Sequence, residues 1–469
     1  SNCENGYQGE NAVLTFKKYK TMKIKYISAL LVLLAAAKVN AQQEMMLNSL
    51  QNLWHSNTST NPAFFPENKH FVIGLPAYSI DAAHSGDLTY KDIFRKDGDR
   101  TIVDFDNAIS KLDPENDLNF DQRLETVSFG FRSPNNKWGF QLGHAIAFSG
   151  ALTYPKALPE LLWNGNASYI GQTVEIGLQA DIADWHEWSV GVMRQFGPLN
   201  VGVRAKYLTG ISALRTDDDR HSMSIYTDPD IYQLTLKTDY AFYSSSIISA
   251  IDTADLGFDI TLDALGNKLR SKNNGIAFDL GGVLKVGERL TLDASVINLG
   301  GLIKWKNDPR YFQSKAEYTY SGSTIPGEDI LNGSDSLDFD TKLDTLNDIF
   351  RFSQTATDAM ETRAPMRIYV GGTFELTKHW SVGLTVFHQK KDRDSNTAVG
   401  ASVRWLPLKW LSLGAMYGVN NRSAANLGFH VAFTPGPVQV YFLSDNLLNA
   451  FALKSSPAAN LRAGLALAF

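Results

Sequence analysis

Residues 367–386, which read RIYVGGTFELTKHWSVGLTV, contain two alternating runs separated by a short turn at Lys378-His379. In both runs, apolar residues alternate with polar, charged or small ones. A helix would distribute these residues around its circumference, whereas a strand places successive side chains on opposite faces. The stretch therefore predicts two antiparallel strands joined by a tight turn, with one face made of Ile368, Val370, Phe374, Leu376, Trp380, Val382, Leu384 and Val386.

The same alternation recurs along most of the chain. Further runs occupy residues 173–183, 399–405, 411–419 and 461–469, and the last of them ends on Phe469. Counted from about residue 70, the runs predict about 16 strands, with about 14 as the alternative when boundary errors of a few residues are allowed. An even count places both ends of the barrel on one side, the periplasm.

The connections between the runs fall into two classes. Tight turns are predicted at 134–136, 198, 287–288, 378–379, 407–408 and 435–436, and long loops at about 83–125, 150–171, 241–273, 307–365 and 445–459. When connections are assigned alternately to two sides, nearly all tight turns fall on the same side. Short periplasmic turns opposite long extracellular loops are typical of outer-membrane barrels. The prediction is therefore an all-β fold, a transmembrane antiparallel β-barrel of about 14–16 strands in the bacterial outer membrane.

The tryptophans favour the same orientation. A girdle at the membrane interface, beside tight turns on the periplasmic side, is predicted for Trp138, Trp188, Trp380, Trp405 and Trp410. Indole rings favour this position because they are apolar with one N–H donor. The alternative is that bulky aromatics simply pack at strand ends. A mean hydropathy of -0.18 is too polar for a bundle of membrane helices.

Segments before the barrel have a different character. Residues 1–21 are predicted to be an upstream extension, and residues 22–41 resemble a signal peptide with a basic start, an apolar core and a small-residue cleavage site. A transmembrane anchor is the alternative, but the apolar run is too short to span about 30 Å of hydrocarbon. Residues 42–69 are not strand-like and contain turn-forming residues, and the barrel is assigned to residues 70–469.

Composition excludes several classes of function. The net charge of -5 argues against a nucleic-acid partner. Cys3 is the single cysteine and precedes the predicted cleavage site, so neither a disulfide framework nor a cysteine-based metal site is expected. Motifs of metalloproteases, serine hydrolases and phosphate-binding loops are missing, and His144 before Ser149 has no third partner in the pattern. We therefore predict no enzyme activity, no cofactor and no metal site.

Three motifs lie near the start of the predicted mature chain: Asn61-Pro62-Ala63-Phe64-Phe65-Pro66, Ile73-Gly74-Leu75-Pro76 and Tyr90-Lys91-Asp92-Ile93-Phe94. With them the chain resembles a family of outer-membrane barrels in Bacteroidetes that is described only as a domain of unknown function. It also resembles the FadL-like superfamily, which includes long-chain fatty-acid transporters and barrel subunits of the type IX secretion system. The resemblance implies that residues 42–69 form a plug, or hatch, with Asn61–Pro66 as candidate plug or ligand residues. The alternative is that the prolines shape a turn into the first strand.

Charged residues add three expectations. Acidic residues in the loop after Asp308 could bind calcium or form a solvated loop, and the solvated loop is favoured for Asp335, Asp338, Asp340, Asp344 and Asp348. Asp217–Asp219 are predicted to form a tight periplasmic turn. Charges of both signs favour a salt-bridged lumen, or contacts with a plug, over an open ion pore; the predicted lumen-facing residues are Glu175, Asp181, Arg204, Lys206, Asp279, Arg367, Glu375 and Arg404.

Two hypotheses for function follow. The first is FadL-like transport of a small hydrophobic molecule through a plugged lumen. The second is a non-transporting barrel subunit of an outer-membrane secretion or surface-attachment complex, similar to type IX, with a protein partner bound by the long extracellular loops. Both hypotheses require contact with outer-membrane lipid.

Overall fold

A computed structural model describes residues 45–85, 88, 90–97, 100–246, 248–251, 258–260, 271–320, 352–357, 360–420, 426–446 and 458–469. These ranges do not include the predicted upstream residues 1–21 with Cys3, the signal peptide or the acidic stretch from Asp335 to Asp348. Within the described ranges, no helix is long and apolar enough to span a membrane.

The described helices are short and the strands dominate. The helices are α1 (Met45–Ser49), α2 (Trp54–Ser59), α3 (Tyr90–Ile93), α4 (Phe105–Ser110) and α5 (Ala157–Asn164), with a 3₁₀ turn at Ala167–Tyr169. The first strands are β1 (Phe71–His84), β2 (Phe94–Asp97), β3 (Arg100–Val103), β4 (Glu115–Arg132), β5 (Trp138–Pro155), β6 (Thr173–Glu175), β7 (Gln179–Phe196), β8 (Leu199–Thr227), β9 (Leu234–Ser245), β10 (Ile248–Ile251) and β11 (Phe258–Ile260). The remaining strands are β12 (Asn274–Val286), β13 (Leu290–Lys304), β14 (Arg310–Tyr320), β15 (Ser353–Ala356), β16 (Glu361–Arg363), β17 (Met366–Glu375), β18 (Trp380–Lys390), β19 (Ser395–Leu408), β20 (Leu411–Asn420), β21 (Asn426–Phe433), β22 (Val438–Ser444) and β23 (Ala458–Ala468).

A closed antiparallel barrel of 14 strands is the main architecture. Its wall runs through β1, β4, β5, β7, β8, β12, β13 and β17 to β23, and it closes where Val72 of β1 pairs with Ala468 of β23. The predicted all-β transmembrane barrel is confirmed, at the lower end of the predicted range. The preferred count of about 16 was wrong because two strands lie outside the wall: β9 pairs with the C-terminal part of β8, and β14 pairs with β9.

The part of β8 beyond the wall forms a sheet with β6, β9, β14 and β15, which we call the extension. Two predictions fail here. Asp217–Asp219 do not form a periplasmic turn, because they lie inside β8 at a register shift between Thr216 and His221. The run 173–183 is not one strand, because the chain leaves the sheet between β6 and β7. Hydrogen bonds from Lys315 and Arg220 hold the pKa of Asp239 in the extension below its usual value.

Connection lengths sort onto two sides, as predicted. Short turns join β4 to β5, β7 to β8, β12 to β13, β17 to β18, β19 to β20 and β21 to β22. Both ends of the wall lie on this same side, where the His70 amide donates to the Phe469 carbonyl at 2.7 Å. The even strand count explains this arrangement, because each pair of strands returns the chain to its starting side.

The outer surface of the wall is an apolar band. Leu142 on β5, Val190 on β7 and Leu384 on β18 are each more than half exposed, although neighbouring residues in the same strands are buried. A closed barrel with apolar side chains outward satisfies its backbone hydrogen bonds and presents hydrocarbon to lipid. The protein is an outer-membrane β-barrel.

Four of the five predicted girdle tryptophans lie beside tight turns. Trp138, Trp380, Trp405 and Trp410 are exposed at strand ends or turns on the tight-turn side, and Trp380 stacks on Trp405 with ring centroids 5.6 Å apart. Trp188 departs from the prediction, because it lies in the interior of β7, away from the turn that follows Phe196.

Candidate functional site in the barrel lumen

Residues 45–66, here called the N-terminal segment, contact residues on the inner face of the wall. Nearly all of the segment is buried, including both helices and the whole stretch Asn61–Pro66. The segment is not part of the wall ladder, since none of its residues belongs to a strand. Its burial therefore depends on side-chain packing and on isolated hydrogen bonds.

Helix α1 packs its apolar side chains against one side of the wall. Met45, Leu47, Leu50 and Leu53 form a cluster with inward-facing residues, namely Ile297, Tyr369, Phe387, Met416, Tyr441 and Leu443. Polar contacts fix its two ends. The Met46 amide donates to Asp445 Oδ1 at 2.8 Å, and Asn48 Nδ2 donates to Asp293 Oδ1 at 2.8 Å.

Trp54 at the start of α2 is the largest anchor of the segment. Its ring lies over Gly130 of β4, where an added Cβ atom would come within 2.3 Å of the indole. The indole Nε1 donates to Ser128 Oγ at 2.7 Å, and Phe65 packs edge-on with a centroid distance of 5.5 Å. A glycine in the wall is needed here because the indole touches the strand backbone.

The motif Asn61–Pro66 forms a compact turn that also contacts the wall. Asn61 accepts from the Ala63 amide at 2.9 Å and donates from Nδ2 to the Gly282 carbonyl at 3.2 Å. The Phe64 amide donates to the Asn61 carbonyl at 3.0 Å, and Asn57 Nδ2 donates to the Phe64 carbonyl. Thus the turn and the wall contact exist together, and the two sequence-based alternatives do not exclude each other.

Gly202 of β8 lies against the backbone of this turn. An added Cβ atom would lie 2.3 Å from the Pro62 carbonyl oxygen and 2.6 Å from the Ala63 nitrogen. We expect Gly202→Ala to lower the free energy of unfolding by about 1–3 kcal/mol, because backbone must move to admit the methyl group. Urea unfolding in lipid vesicles, followed by tryptophan fluorescence, measures this change.

The matched control for this prediction is Gly282→Ala. The nearest atom to a Cβ at Gly282 is the Asn200 carbonyl oxygen at an ordinary 3.8 Å. We expect the control to unfold like the unchanged protein, within about 0.5 kcal/mol. Equal losses in the two variants would mean that Gly202 does not seat the N-terminal segment.

A group of buried charges lies where the segment meets β4, β7, β8 and β12. Asp279 accepts from Arg204 Nε at 2.6 Å and from Lys206 Nζ at 3.1 Å, and Lys206 Nζ lies 3.6 Å from Glu187. Arg123 Nη2 lies 3.3 Å from the same Glu187 carboxylate. We call this set, with Glu125 and Arg462, the charge cluster. Its charges alternate in sign, so each is compensated within the low-dielectric lumen.

The charge cluster also binds the N-terminal segment. Glu125 Oε2 accepts from the Thr58 hydroxyl at 2.6 Å, and Arg204 Nη1 donates to the Asn57 carbonyl at 3.1 Å. Arg462 donates to the Ser59 hydroxyl. Sequence analysis did not single out Glu125, Glu187 or Arg462. Inward alternation within their strands is the signal that was present for them.

The predicted lumen-facing residues occupy several places. Arg204, Lys206, Asp279 and Arg367 are buried and face inward. Asp181 lies at the extracellular mouth, lining a small cavity with Lys391 and Asp392. Near the tight turns, Arg404 Nε donates to Ser381 Oγ at 3.0 Å, and Glu375 is exposed. The predicted lumen-facing position of Glu175 was wrong. Glu175 is exposed on β6 in the extension, where its carboxylate accepts from Ser222 Oγ at 3.2 Å.

Free space beside the charge cluster is small. A cavity of about 70 Å³ is lined by residues that include Arg123, Glu187, Arg367 and Arg462. This volume holds a few water molecules, whereas ligand sites usually measure about 300–1,000 Å³. The cavity at this level is therefore smaller than an ordinary ligand site.

The extracellular mouth is narrowed by ion pairs. The turn between β18 and β19 carries Lys391, whose Nζ lies 2.8 Å from Asp121 Oδ2, and Asp392, whose Oδ2 accepts from Arg215 Nη1 at 2.6 Å. Below the mouth, Trp305 and other buried apolar residues form a second core cluster: Ala147, Ala183, Trp185, Leu208, Ala213, Ala277, Ile303, Met360 and Ala364. The lumen thus alternates between apolar and charged layers.

Side chains that could bind a metal ion do not cluster among the described residues. Among them, no group of three or more His, Cys, Asp or Glu side chains is arranged to hold a metal ion. His144 differs from the sequence-based description as a histidine without further partners. Its ring contacts Thr126 and His186, and no sequence pattern connects either residue with it.

Comparisons with known proteins give a consistent but distant picture. No curated protein matches this sequence. The chain is similar to the toluene transporter TodX of Pseudomonas putida, at 9% identity, with 92% of this chain and 96% of that chain covered and a TM-score of 0.42. The TodX deltaS2S3 mutant, a monoaromatic hydrocarbon channel, gives 10% identity, 88% and 94% coverage and a TM-score of 0.46. The translocator domain of the autotransporter NalP from Neisseria meningitidis gives 7%, 90%, 95% and 0.31.

Family membership is established by sequence. Residues 62–445 match the family described as "Family of unknown function (DUF5723)", a range that begins inside the Asn61–Pro66 motif and covers most of the wall. The predicted resemblance to a barrel family of unknown function is thereby confirmed. An origin in Bacteroidetes and a relation to the type IX secretion system stay predictions. The chain belongs to the DUF5723 family of unknown function.

Proposed function

We propose that this barrel transports a small hydrophobic molecule across the outer membrane, with residues 42–69 acting as its plug. The burial of a short, non-strand segment against the inner face of a closed wall carries the proposal. Within this plug, Asn61–Pro66 are the candidate ligand contacts.

The contacts of the N-terminal segment support a movable plug. Each is a side-chain hydrogen bond or an apolar contact, such as Asn48 to Asp293 or Thr58 to Glu125. The wall ladder is complete without the segment, because every wall strand pairs with two other wall strands. Displacing the segment would therefore leave the barrel wall intact and free the inner surface that the segment now covers.

A cysteine lock tests this proposal. The variant Asn48→Cys with Asp293→Cys replaces two side chains whose Nδ2 and Oδ1 atoms are 2.8 Å apart. A short thiol-specific cross-linker between the two cysteines would then tie the segment to β13. The probe is N-phenylnaphthylamine, a small uncharged fluorophore, added to intact cells whose outer membrane contains the protein. We expect cross-linking to reduce uptake to the level of cells without the protein, and cleavage of the linker to restore it.

The control lock stays within the wall. Ser381→Cys with Arg404→Cys joins β18 to β19 at a pair 3.0 Å apart and leaves the N-terminal segment free. Uptake that survives the segment lock would refute the plug. If uptake never exceeds that of cells without the protein, whether the segment is unlinked, cross-linked or released, transport itself is refuted.

The scaffold hypothesis remains the alternative. The ion pairs of the charge cluster and the mouth favour a lumen that stays closed. A stoichiometric protein partner that copurifies from outer membranes, together with no uptake in the cysteine-lock experiment, would favour it.

A further inference from the structure

One histidine interrupts an apolar row on the lipid-facing surface of β5. The outward positions read Phe140, Leu142, His144, Ile146 and Phe148, while residues between them are inward-facing or buried. A polar side chain that faces hydrocarbon costs free energy and therefore marks a candidate functional site. His144 lies away from the lumen and is not used by the proposed plug.

Two further polar side chains complete a hydrogen-bonded chain with His144. Thr126 Oγ1 lies 2.8 Å from His144 Nδ1, and His144 Nε2 lies 3.1 Å from His186 Nδ1. The register places Thr126 opposite no residue of β5, because the ladder shifts between Glu125 and Val127. Such a bulge redirects a side chain, and bulges are over-represented next to functional sites. We call this set the Thr–His–His chain.

The Thr–His–His chain borders a recess in the outer wall. The recess has a volume of about 580 Å³, within the usual range of ligand sites. Besides His144, its lining is mainly apolar, with Val127, Leu142, Trp188, Val190 and Ile276, and the half-exposed ring of Tyr207. The ring centroids of Trp188 and His144 are 4.1 Å apart, so the polar edge of the recess directly adjoins its aromatic lining.

We propose that this recess binds an ester-linked acyl chain of a membrane lipid. The occupant follows from position, because the outward side chains that line the recess belong to the band that contacts lipid. The apolar lining would hold the hydrocarbon, and the polar edge would meet the ester group. The Tyr207 hydroxyl can donate a hydrogen bond to an ester carbonyl, as can a ring N–H of the Thr–His–His chain when its present partner gives way. The recess lies on the outer side of the wall, although Lys206 of the charge cluster is among its lining residues, and the proposal does not depend on transport.

Photo-labelling tests the recess directly. The full chain would be placed in phosphatidylethanolamine–phosphatidylglycerol vesicles that contain a minor fraction of phosphatidylethanolamine with a diazirine in one acyl chain. We expect labelling of the peptides that carry Leu142, Trp188 and Ile276 to exceed severalfold the labelling at Leu384 and Tyr417. These reference residues are outward-facing and similarly exposed on other strands of the wall.

Two substitutions separate a specific site from ordinary boundary lipid. Ile276→Trp should fill the recess and remove the excess label, whereas Leu384→Trp, at a position equally exposed to lipid, should not. His144→Phe should reduce labelling by the ester lipid while leaving unchanged the labelling by a diazirine hydrocarbon without an ester.

Two results would overturn the proposal. Equal labelling around the whole barrel would mean that the recess holds lipid no more firmly than the rest of the surface. Release of fatty acid from the lipid, abolished by Thr126→Val, would replace a binding site by an acyl-transfer site.

Discussion

Asp279→Ala is expected to lower the free energy of unfolding by about 3–5 kcal/mol, because it removes the carboxylate shared by two buried cations. Asp279 is fully buried, and besides Arg204 and Lys206 it accepts from the Asn298 amide at 2.7 Å. Glu187, 3.6 Å from Lys206, compensates one cation only in part. Urea unfolding in lipid vesicles, followed by tryptophan fluorescence, gives the size of the loss.

Two matched variants define what the Asp279 result means. Glu67→Ala breaks an ion pair with Lys285 in which both partners are 56% exposed, and we expect it to cost about 0–1 kcal/mol. Asp279→Asn keeps the shape of the side chain and loses its charge, so its cost should lie between the two. If Asp279→Ala costs no more than Glu67→Ala, water or lumen relaxation screens the charge cluster.

Trp54→Ala is expected to cost about 3–5 kcal/mol, because it removes a large buried ring from a site that cannot collapse. The ring rests on the backbone at Gly130, and the strand there is held by hydrogen bonds to both neighbouring strands. The Ser128 hydroxyl would also lose its indole partner. The same unfolding experiment measures the loss, and limited proteolysis would show cleavage within residues 45–66.

Trp163→Ala is the control for the loss of a tryptophan. Trp163 on α5 is 51% exposed, stacks on Phe105 and donates to Asp106, so its removal should cost about 0.5–1.5 kcal/mol, well below the loss expected for Trp54. A small effect of Trp54→Ala, with the N-terminal segment still resistant to protease, would show that the segment is held mainly by polar contacts.

The wall could be predicted from sequence because lipid imposes a simple rule on it. Outward positions such as Val190 and Leu384 must be apolar, so the period of two is preserved strand after strand. Turn chemistry then sorted the connections and fixed the side of both termini. The strand count was less certain, because β9 and β14 alternate like wall strands although they pair in the extension.

The site could be predicted only in part, because its contacts join strands that are distant in sequence. Arg204 and Asp279 were both predicted to face the lumen, but their pairing depends on the register between β8 and β12. The bulge at Thr126 shifts the alternation by one residue, so no periodic pattern connects Thr126 with His144. Trp188 was misplaced because its distance along the chain from the turn after Phe196 was underestimated, and β7 extends well beyond Trp188 in both directions.

The seam between β1 and β23 has a consequence for biogenesis. It joins Val72 to Ala468, almost the full length of the wall sequence, so its pairing closes the longest loop in the fold and is expected to form last and slowly. Trp54 packs beside both partners of this seam, in one cluster with Val72 and Ala466. In chain order, the N-terminal segment precedes every strand of the wall, and β23 follows all the others. The ring can therefore close around its contents, and assembly does not require threading the segment into a finished barrel.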